Sequence, residues 1–381
     1  MTFSAPARLS GTLSVLAGAF LLASASASAC GGASPTPATA APAAIAARTT
    51  GLDAGLVAAA LEEAGRLPQL NALIVARDGR VLAERVYGGP ALDVPVNIKS
   101  ASKSVLAALA GIAVARGALT GLAQPVAPLL GERVPASADP RVRAITLEHL
   151  LSMRAGLGST SGPDYGAWVS SRDWVRHALT RPFEDEPGGR MVYSSGTSHL
   201  LSAVLSRAAG RSTLALAREW LGAPLGIAVP VWPADPQGVY FGGNEMRLSP
   251  RALLRFGELY RNDGVFAGRR LLPEGWVRES WRARGTSRWT GSGYGLGWWI
   301  TEARGHPVYF AYGYGGQMVY VVPGLGLTVV MTSDTDRRGT DGHIQGLHAL
   351  LADRIIPAAE RGAALAPGLG AAPEVATPPT L

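Results

Sequence analysis

Ser100-Ala101-Ser102-Lys103-Ser104-Val105-Leu106-Ala107-Ala108-Leu109, residues 100–109, sets a serine and a lysine three positions apart, and the apolar pattern behind them continues through Ile112 and Ala113 to Gly117. That pattern predicts a long helix starting at about Ser100. Residues three apart share a helical face, so the Ser100 hydroxyl and the Lys103 amine point the same way. A serine hydroxyl becomes a nucleophile when a neighbouring base takes its proton. Lysine is such a base once desolvation or nearby cations lower its pKa. At a helix start the Ser100 N–H also lacks an intrahelical partner and is able to face a developing oxyanion.

A lone Ser-x-x-Lys is a weak signal, and composition strengthens it. Lys99 and Lys103 are the only two lysines among 35 basic residues, the other 33 being arginine. Arginine keeps its proton in proteins and cannot replace a base. A chain that uses arginine almost everywhere has placed lysine where a proton must be removable.

Upstream, Leu52 to Leu67 has helical periodicity. Asn71–Ala76 and Arg80–Tyr87 form two apolar runs joined by Asp78-Gly79, a strong hairpin signal. Downstream, residues 118–245 are rich in helical patterns and loops, with few alternating runs. Ser249–Asn262 is amphipathic, and Gly295–Glu302, Val308–Tyr312, Gln317–Val322 and Leu327–Thr332 read as short strands before a last helix at about Gly342–Ile356. An α+β layer built from both chain ends, with an α-rich insertion between, accounts for this order. A cleft between the two parts is the expected place for a site.

Two further segments carry chemistry. Tyr193-Ser194-Ser195 follows Pro187-Gly188-Gly189 and precedes a helical pattern; an ammonium beside Tyr193 would favour its phenolate and make it a proton shuttle. Gly313-Tyr314-Gly315-Gly316-Gln317 opens an alternating run and reads as an edge strand whose backbone lies close to a ligand, with the Gln317 N–H as a second oxyanion donor. Trp298, Trp299 and Tyr312 are candidates to shape an acyl pocket, with core packing expected for at least one tryptophan of the pair.

With 381 residues, 47% of them hydrophobic, the chain buries a sizeable core. Its net charge of +7 is spread over scattered arginines rather than a patch, which speaks against nucleic acid as a partner. Histidines such as His199, His306 and His343 are accompanied by no Gly-x-Ser-x-Gly elbow and no His-Glu-x-x-His cluster, which disfavours a Ser-His-Asp hydrolase and a metal site. No metal or organic cofactor is expected.

Residues 1–29 have the anatomy of a secretory signal: Arg8, an apolar run from Leu13 to Leu22, and a small-residue tail ending at Ala29. Cys30, the only cysteine, stands where lipid would be attached to an exported lipoprotein, giving a membrane anchor; cleavage at an Ala-x-Ala site is the other exit. Residues 30–50 read as an Ala/Pro/Gly tether, 51–360 as the folded domain and 361–381 as a disordered tail. The expected location is therefore periplasmic or extracellular.

Taken in order and spacing, these segments resemble the serine β-lactamase, penicillin-binding protein and esterase superfamily, nearest to the class C β-lactamase-like branch with its carboxylesterases and 6-aminohexanoate-dimer hydrolases. Ile145–Met153, Gly295–Trp299 and Gly315–Pro323 are similar to framework segments of that branch, and the resemblance runs from about Leu52 to Ile356. It implies the β-lactamase/transpeptidase-like fold, an antiparallel sheet flanked by helices with an inserted α-rich subdomain. It also implies Ser100 as acylated nucleophile, Lys103 as activating partner, Tyr193 as general base, and Ser100 and Gln317 as oxyanion donors. Ser195 stands where asparagine is usual, and Tyr314 stands where β-lactamases have the lysine of a Lys-Thr-Gly motif, followed by Gly315 and Gly316. Tyrosine offers no permanent charge to a substrate carboxylate. The expectation is thus an exported serine hydrolase acting on small esters or amides. The alternatives are a β-lactamase or D-alanyl-D-alanine peptidase, and a noncatalytic binding protein on the same fold.

Overall fold

The computed structural model describes residues 51–336 and 342–365, which belong to one compact unit. The stretch expected to be a signal sequence, Cys30, the expected tether to residue 50 and the expected tail beyond 365 lie outside the described residues.

Twelve strands occur among the described residues: β1 Leu70–Arg77, β2 Arg80–Val86, β3 Val96–Asn97, β4 Arg247–Leu248, β5 Val265–Phe266, β6 Arg269–Arg270, β7 Gly285–Thr286, β8 Gly293–Tyr294, β9 Trp299–Ala303, β10 His306–Gly313, β11 Gln317–Val322 and β12 Leu327–Ser333. Eight of them form one sheet in the order β2-β1-β12-β11-β10-β9-β8-β7, and every pairing in it is antiparallel. The first hairpin turns at Asp78 and Gly79, both left-handed (φ 48° and 78°), as a two-residue primed turn requires.

The sheet is covered on both faces, and its side chains divide with period two. Leu73, Val75, Met318, Tyr320, Val329 and Met331 pack beneath the helices Ala54–Ala64 and His343–Leu350, whereas Ile74, Val319, Val321 and Val330 face the helices Ser102–Ala115 and Pro250–Arg261. Two-sided burial explains why β11 has no exposed position. It also corrects the edge-strand expectation for residues 313–317, which form the hairpin turn between two inner strands.

Between β3 and β4 the chain runs through the helices Ala127–Leu130, Leu147–Leu151, Trp174–Leu179 and Ser195–Ala209, joined by loops. The run expected at Gly295–Glu302 is broken, because Gly297 is left-handed (φ 74°) and its missing Cβ leaves room for Ala107 and the Lys103 carbonyl. At the C-terminal end the helix continues past Ile356 to Leu365, so residues 361–365 of the expected tail are helical.

The entry to the helix of Ser100 is fixed by the sheet. Lys99–Ala101 forms a 3₁₀ turn ahead of the α-helix Ser102–Ala115, and that turn packs on β10 and β11. A Cβ on Gly313 would run into the carbonyl oxygen of Ile98, immediately before the turn. Gly313→Ala is expected to destabilise the protein by about 1–3 kcal/mol in urea unfolding, as overpacking does, and to displace the turn bearing Ser100. A fully stable variant would show that this approach is not tight.

Candidate functional site

Ser100, on the 3₁₀ turn, and Lys103, in the first turn of the α-helix, lie one above the other. Lys103 Nζ donates to Ser100 Oγ at 3.1 Å, to the Gly243 carbonyl at 2.7 Å and, at 3.5 Å, to Ser195 Oγ. Its side chain is buried, with 3% of the residue exposed, and desolvation lowers its pKa to about 7. No ion pair offsets that desolvation, since the amine faces hydroxyls, a carbonyl and the face of the Tyr193 ring, 4.9 Å away at its centroid. Lowering comes from burial alone, without a neighbouring cation.

Tyr193 sits just before Ser194, whose hydroxyl caps the helix Ser195–Ala209 by accepting from Thr197 N–H. The Tyr193 ring is stacked on Trp299 (centroids 5.7 Å apart), and its hydroxyl hydrogen-bonds Ser100. Burial pushes its pKa well up, with the Ser100 hydrogen bond only partly opposing. The expected phenolate is therefore corrected: desolvation outweighs any ammonium beside the ring, and Tyr193 is a neutral phenol. Lys103 is the group able to lose its proton near neutral pH.

The other lysine has a different task. Lys99 is left-handed (φ 49°), as is Glu245 (φ 62°), and the two form an ion pair at 3.3 Å while Asn97 Nδ2 donates to Glu245 Oε2 at 2.7 Å. With the β3–β4 pairing next to it, this clamp holds a sparsely populated backbone conformation immediately before Ser100.

A cleft of about 490 Å³ opens over Ser100, and its walls include Tyr193, Ser195, Trp299, Tyr312 and Tyr314. None of the described residues lining it carries a formal charge. Tyr314 is 63% exposed at its rim, and Ser195 accepts from Lys103 while its N–H and Oγ contact Ser161 Oγ at 2.9 and 3.2 Å. Ser161 and Asn244, whose Nδ2 donates to Tyr165 Oη at 2.8 Å, also line the cleft and went unnoticed in the sequence, where neither stands in a periodic or motif context.

Gln317 is buried at the start of β11, with its side-chain amide engaged by Ser333 of β12 through Nε2 to the carbonyl at 2.6 Å. Gly315 and Gly316 are not on the cleft wall, contrary to their expected contact with substrate. Gly315 leaves room for Thr335, and Gly316 for Leu347, Ser333 Oγ and His343 Nε2, so packing behind the turn explains both glycines. The tryptophan pair divides as expected. Trp298 is fully buried against Phe256 and Tyr260, and Trp299 faces the cleft. His199 and His343 lie away from Ser100 in hydrogen bonds to Asp235 and Ser333, giving no Ser-His-Asp arrangement around that serine. No cluster of metal-ligating side chains occurs among the described residues.

A serine and a desolvated lysine one turn apart at the head of a helix, backed by an antiparallel sheet, are the arrangement of a serine hydrolase. The chain belongs to the Beta-lactamase family, whose profile matches residues 57–354. It is 26% identical over 324 residues to the 6-aminohexanoate-dimer hydrolase of Paenarthrobacter ureafaciens, covering 74% of this chain and 80% of that protein. Its fold is similar to that of a D-stereospecific amidohydrolase from Streptomyces sp. (TM-score 0.62, 21% identity, 79% of this chain and 99% of that one). It is likewise similar to a penicillin-binding protein homologue from Caulobacter crescentus (TM-score 0.63, 19% identity, 79% and 99%).

Burying Lys103 has a thermodynamic signature. The folded chain holds it near pKa 7 against an ordinary value of 10.5, so between those values the unfolded chain binds more protons and stability rises with pH. Lys103→Met removes this penalty, which is fully developed below pH 7 and on the order of 5 kcal/mol. Lys103→Met is expected to melt above wild type at pH 6, with the gap closing as pH rises toward 10. A gap independent of pH would contradict the desolvated amine.

Proposed function

We propose that the protein is an exported hydrolase that forms an acyl-enzyme on Ser100 and cleaves carboxylic ester or amide bonds of small, uncharged substrates. The observation that carries this reading is the 3.1 Å contact from a desolvated Lys103 amine to Ser100 Oγ. At neutral pH and above, Lys103 is substantially deprotonated and takes the Ser100 proton as Oγ attacks the substrate carbonyl. The N–H groups of Ser100 and Gln317 hold the oxyanion. The proton then returns from Lys103, through the neutral Tyr193 hydroxyl, to the leaving alcohol or amine. Water attacks the acyl-enzyme by the reverse route and frees Ser100.

The uncharged cleft supports neutral substrates. With Tyr314 at the rim and no arginine or lysine among the described residues of the walls, a substrate carboxylate has no cationic partner among them, which counts against β-lactams and D-alanyl peptides. The relatives named for amide hydrolysis support the amide bond of the reading and not its charge, since an aminohexanoate dimer carries an ammonium and a carboxylate of its own. Export rests on the character of residues 1–29, with Cys30 as the candidate lipid anchor.

A second cavity of about 470 Å³ shares Trp289, Thr290, Trp299 and Tyr312 with the cleft and continues between β9–β10 and the helix His343–Leu350, against Val308, Phe310 and Leu351. Trp289 is 80% exposed on the loop where the two spaces meet. An apolar acyl arm reaching past Trp299 would be desolvated there.

Three outcomes test the reading. Ser100→Ala should lose on the order of 10⁶ in turnover. Lys103→Arg should be nearly as inactive as Lys103→Ala, because arginine supplies charge without a removable proton. The wild-type kcat/KM should show an acid limb near pH 7. Either an active Ser100→Ala enzyme or an active Lys103→Arg enzyme would defeat the assignment.

Substrate choice is tested separately with p-nitrophenyl esters beside aminohexanoate dimer, D-alanyl peptides and nitrocefin. From acetate to hexanoate, kcat/KM is expected to rise by on the order of tenfold, and Ala352→Trp, which fills the second cavity, should flatten that rise while sparing acetate. A flat wild-type series, or nitrocefin as the best substrate, would overturn this choice.

A further inference from the structure

Behind Lys103 lies a buried pair that the proposed reaction does not use. His199, on the helix Ser195–Ala209, and Asp235 both have fully buried side chains, and His199 Nε2 meets Asp235 Oδ2 at 3.0 Å. Asp235 Oδ1 accepts from the N–H groups of Gln237 and Val239 at 2.9 and 2.8 Å, so the carboxylate is anchored within its own loop. The other imidazole nitrogen, Nδ1, accepts from Gly242 N–H at 3.3 Å. One residue further on, the Gly243 carbonyl accepts from Lys103 Nζ at 2.7 Å.

The partners dictate the tautomer. Gly242 N–H needs an acceptor and a carboxylate needs a donor, so the imidazole is neutral, with its proton on Nε2. Desolvation keeps it so, holding its pKa below the ordinary histidine value. Trp168, Trp174 and Phe241 surround the ring at 5.8, 5.3 and 6.1 Å between centroids and exclude water. Neither glycine tolerates a side chain without a shift: a Cβ on Gly242 meets the Ser198 carbonyl, and one on Gly243 meets Ser198 Oγ at 2.8 Å. The segment is thus pressed onto the helix, and the imidazole fixes its height.

We propose that His199 and Asp235 are positioning residues that, through Gly242, aim the Gly243 carbonyl at Lys103 and so set its proton affinity. The inference rests on Lys103 being the base. The pair touches neither Ser100 nor the cleft. The groups facing Lys103 are the hydroxyls of Ser100 and Ser195, the Tyr193 ring and the Gly243 carbonyl. Those acting on His199 are Asp235, Arg133 and Asp173.

Asp235→Asn is the informative change, because its Oδ1 still accepts from Gln237 and Val239 while its amide presents a donor to His199. The imidazole proton then moves to Nδ1 and opposes Gly242 N–H, in the way an asparagine imposes the wrong tautomer on a catalytic histidine. The Gly243 carbonyl is displaced, the Lys103 ammonium loses an acceptor, and the charged form becomes less favourable. The expected readout is an acid limb of kcat/KM shifted to lower pH by about half a unit or more, with kcat/KM at pH 8 reduced on the order of tenfold. His199→Gln, which keeps a donor for Asp235 but loses the acceptor for Gly242, should do the same and carries the test if Asp235→Asn does not fold. A folded variant with the wild-type acid limb, or with the limb moved to higher pH, overturns the proposal. A wild-type enzyme with no acid limb near pH 7 instead removes Lys103 as the base, and the proposal falls with it.

Discussion

Everything at this site depends on an amine that has been taken out of water without a counterion. Lys103 is surrounded by two serine hydroxyls, a backbone carbonyl and an aromatic face, and each is a weaker partner for an ammonium than a carboxylate would be. In the proposed reaction that surrounding is what lets lysine act as a base near neutral pH. A carboxylate beside it would restore the charge and remove the function. The fold must then hold the amine in place by packing: Gly297 admits the helix carrying Lys103, and Gly243 leaves room for the amine itself.

The same economy of charge continues outward. Among the described residues the cleft walls carry hydroxyls, one carboxamide and a set of aromatic rings, which is why the proposed substrates are recognised by shape and apolar surface rather than by a formal charge. In this respect the presence of Tyr314 at the rim and the desolvation of Lys103 belong together. A fixed cation at the rim would oppose the charged form of Lys103 and would also draw anionic ligands into the cleft. With tyrosine there, the potential around Ser100 is left to the helix start and the backbone donors.

Much of this was legible in the sequence because it depends on local periodicity. The Ser100–Lys103 spacing, the Asp78-Gly79 hairpin and the runs that became β10, β11 and β12 are short-range patterns, and the structure follows them to within a residue or two. What escaped depends on contacts between distant segments. Residues 315 and 316 look like a ligand-contacting glycine loop, yet their neighbours are Thr335, Ser333 and His343, brought by the end of β12, the residues just after it and the following helix. Ser161 reaches the cleft because its hydroxyl bonds Ser195, 34 residues away. The electrostatics of Tyr193 misled for a related reason: proximity to lysine was legible, and the burial that outweighs it was not.

The scarcity of lysine was the sharpest compositional clue, and the structure divides it between two causes. Lys103 needs a removable proton. Lys99 does not, since it pairs with Glu245 across two left-handed residues and holds the backbone turn that presents Ser100. An ion pair alone does not require lysine, because arginine makes such pairs throughout this chain, for instance Arg354 with Glu63. The distinction at position 99 is one of size and direction. A single compact ammonium on a flexible stem can meet one carboxylate oxygen while Asn97 takes the other, whereas a planar guanidinium would claim both oxygens and compete with Asn97. On the proposed reaction, two lysines in one short segment thus serve two ends, one chemical and one conformational, and both converge on the same hydroxyl.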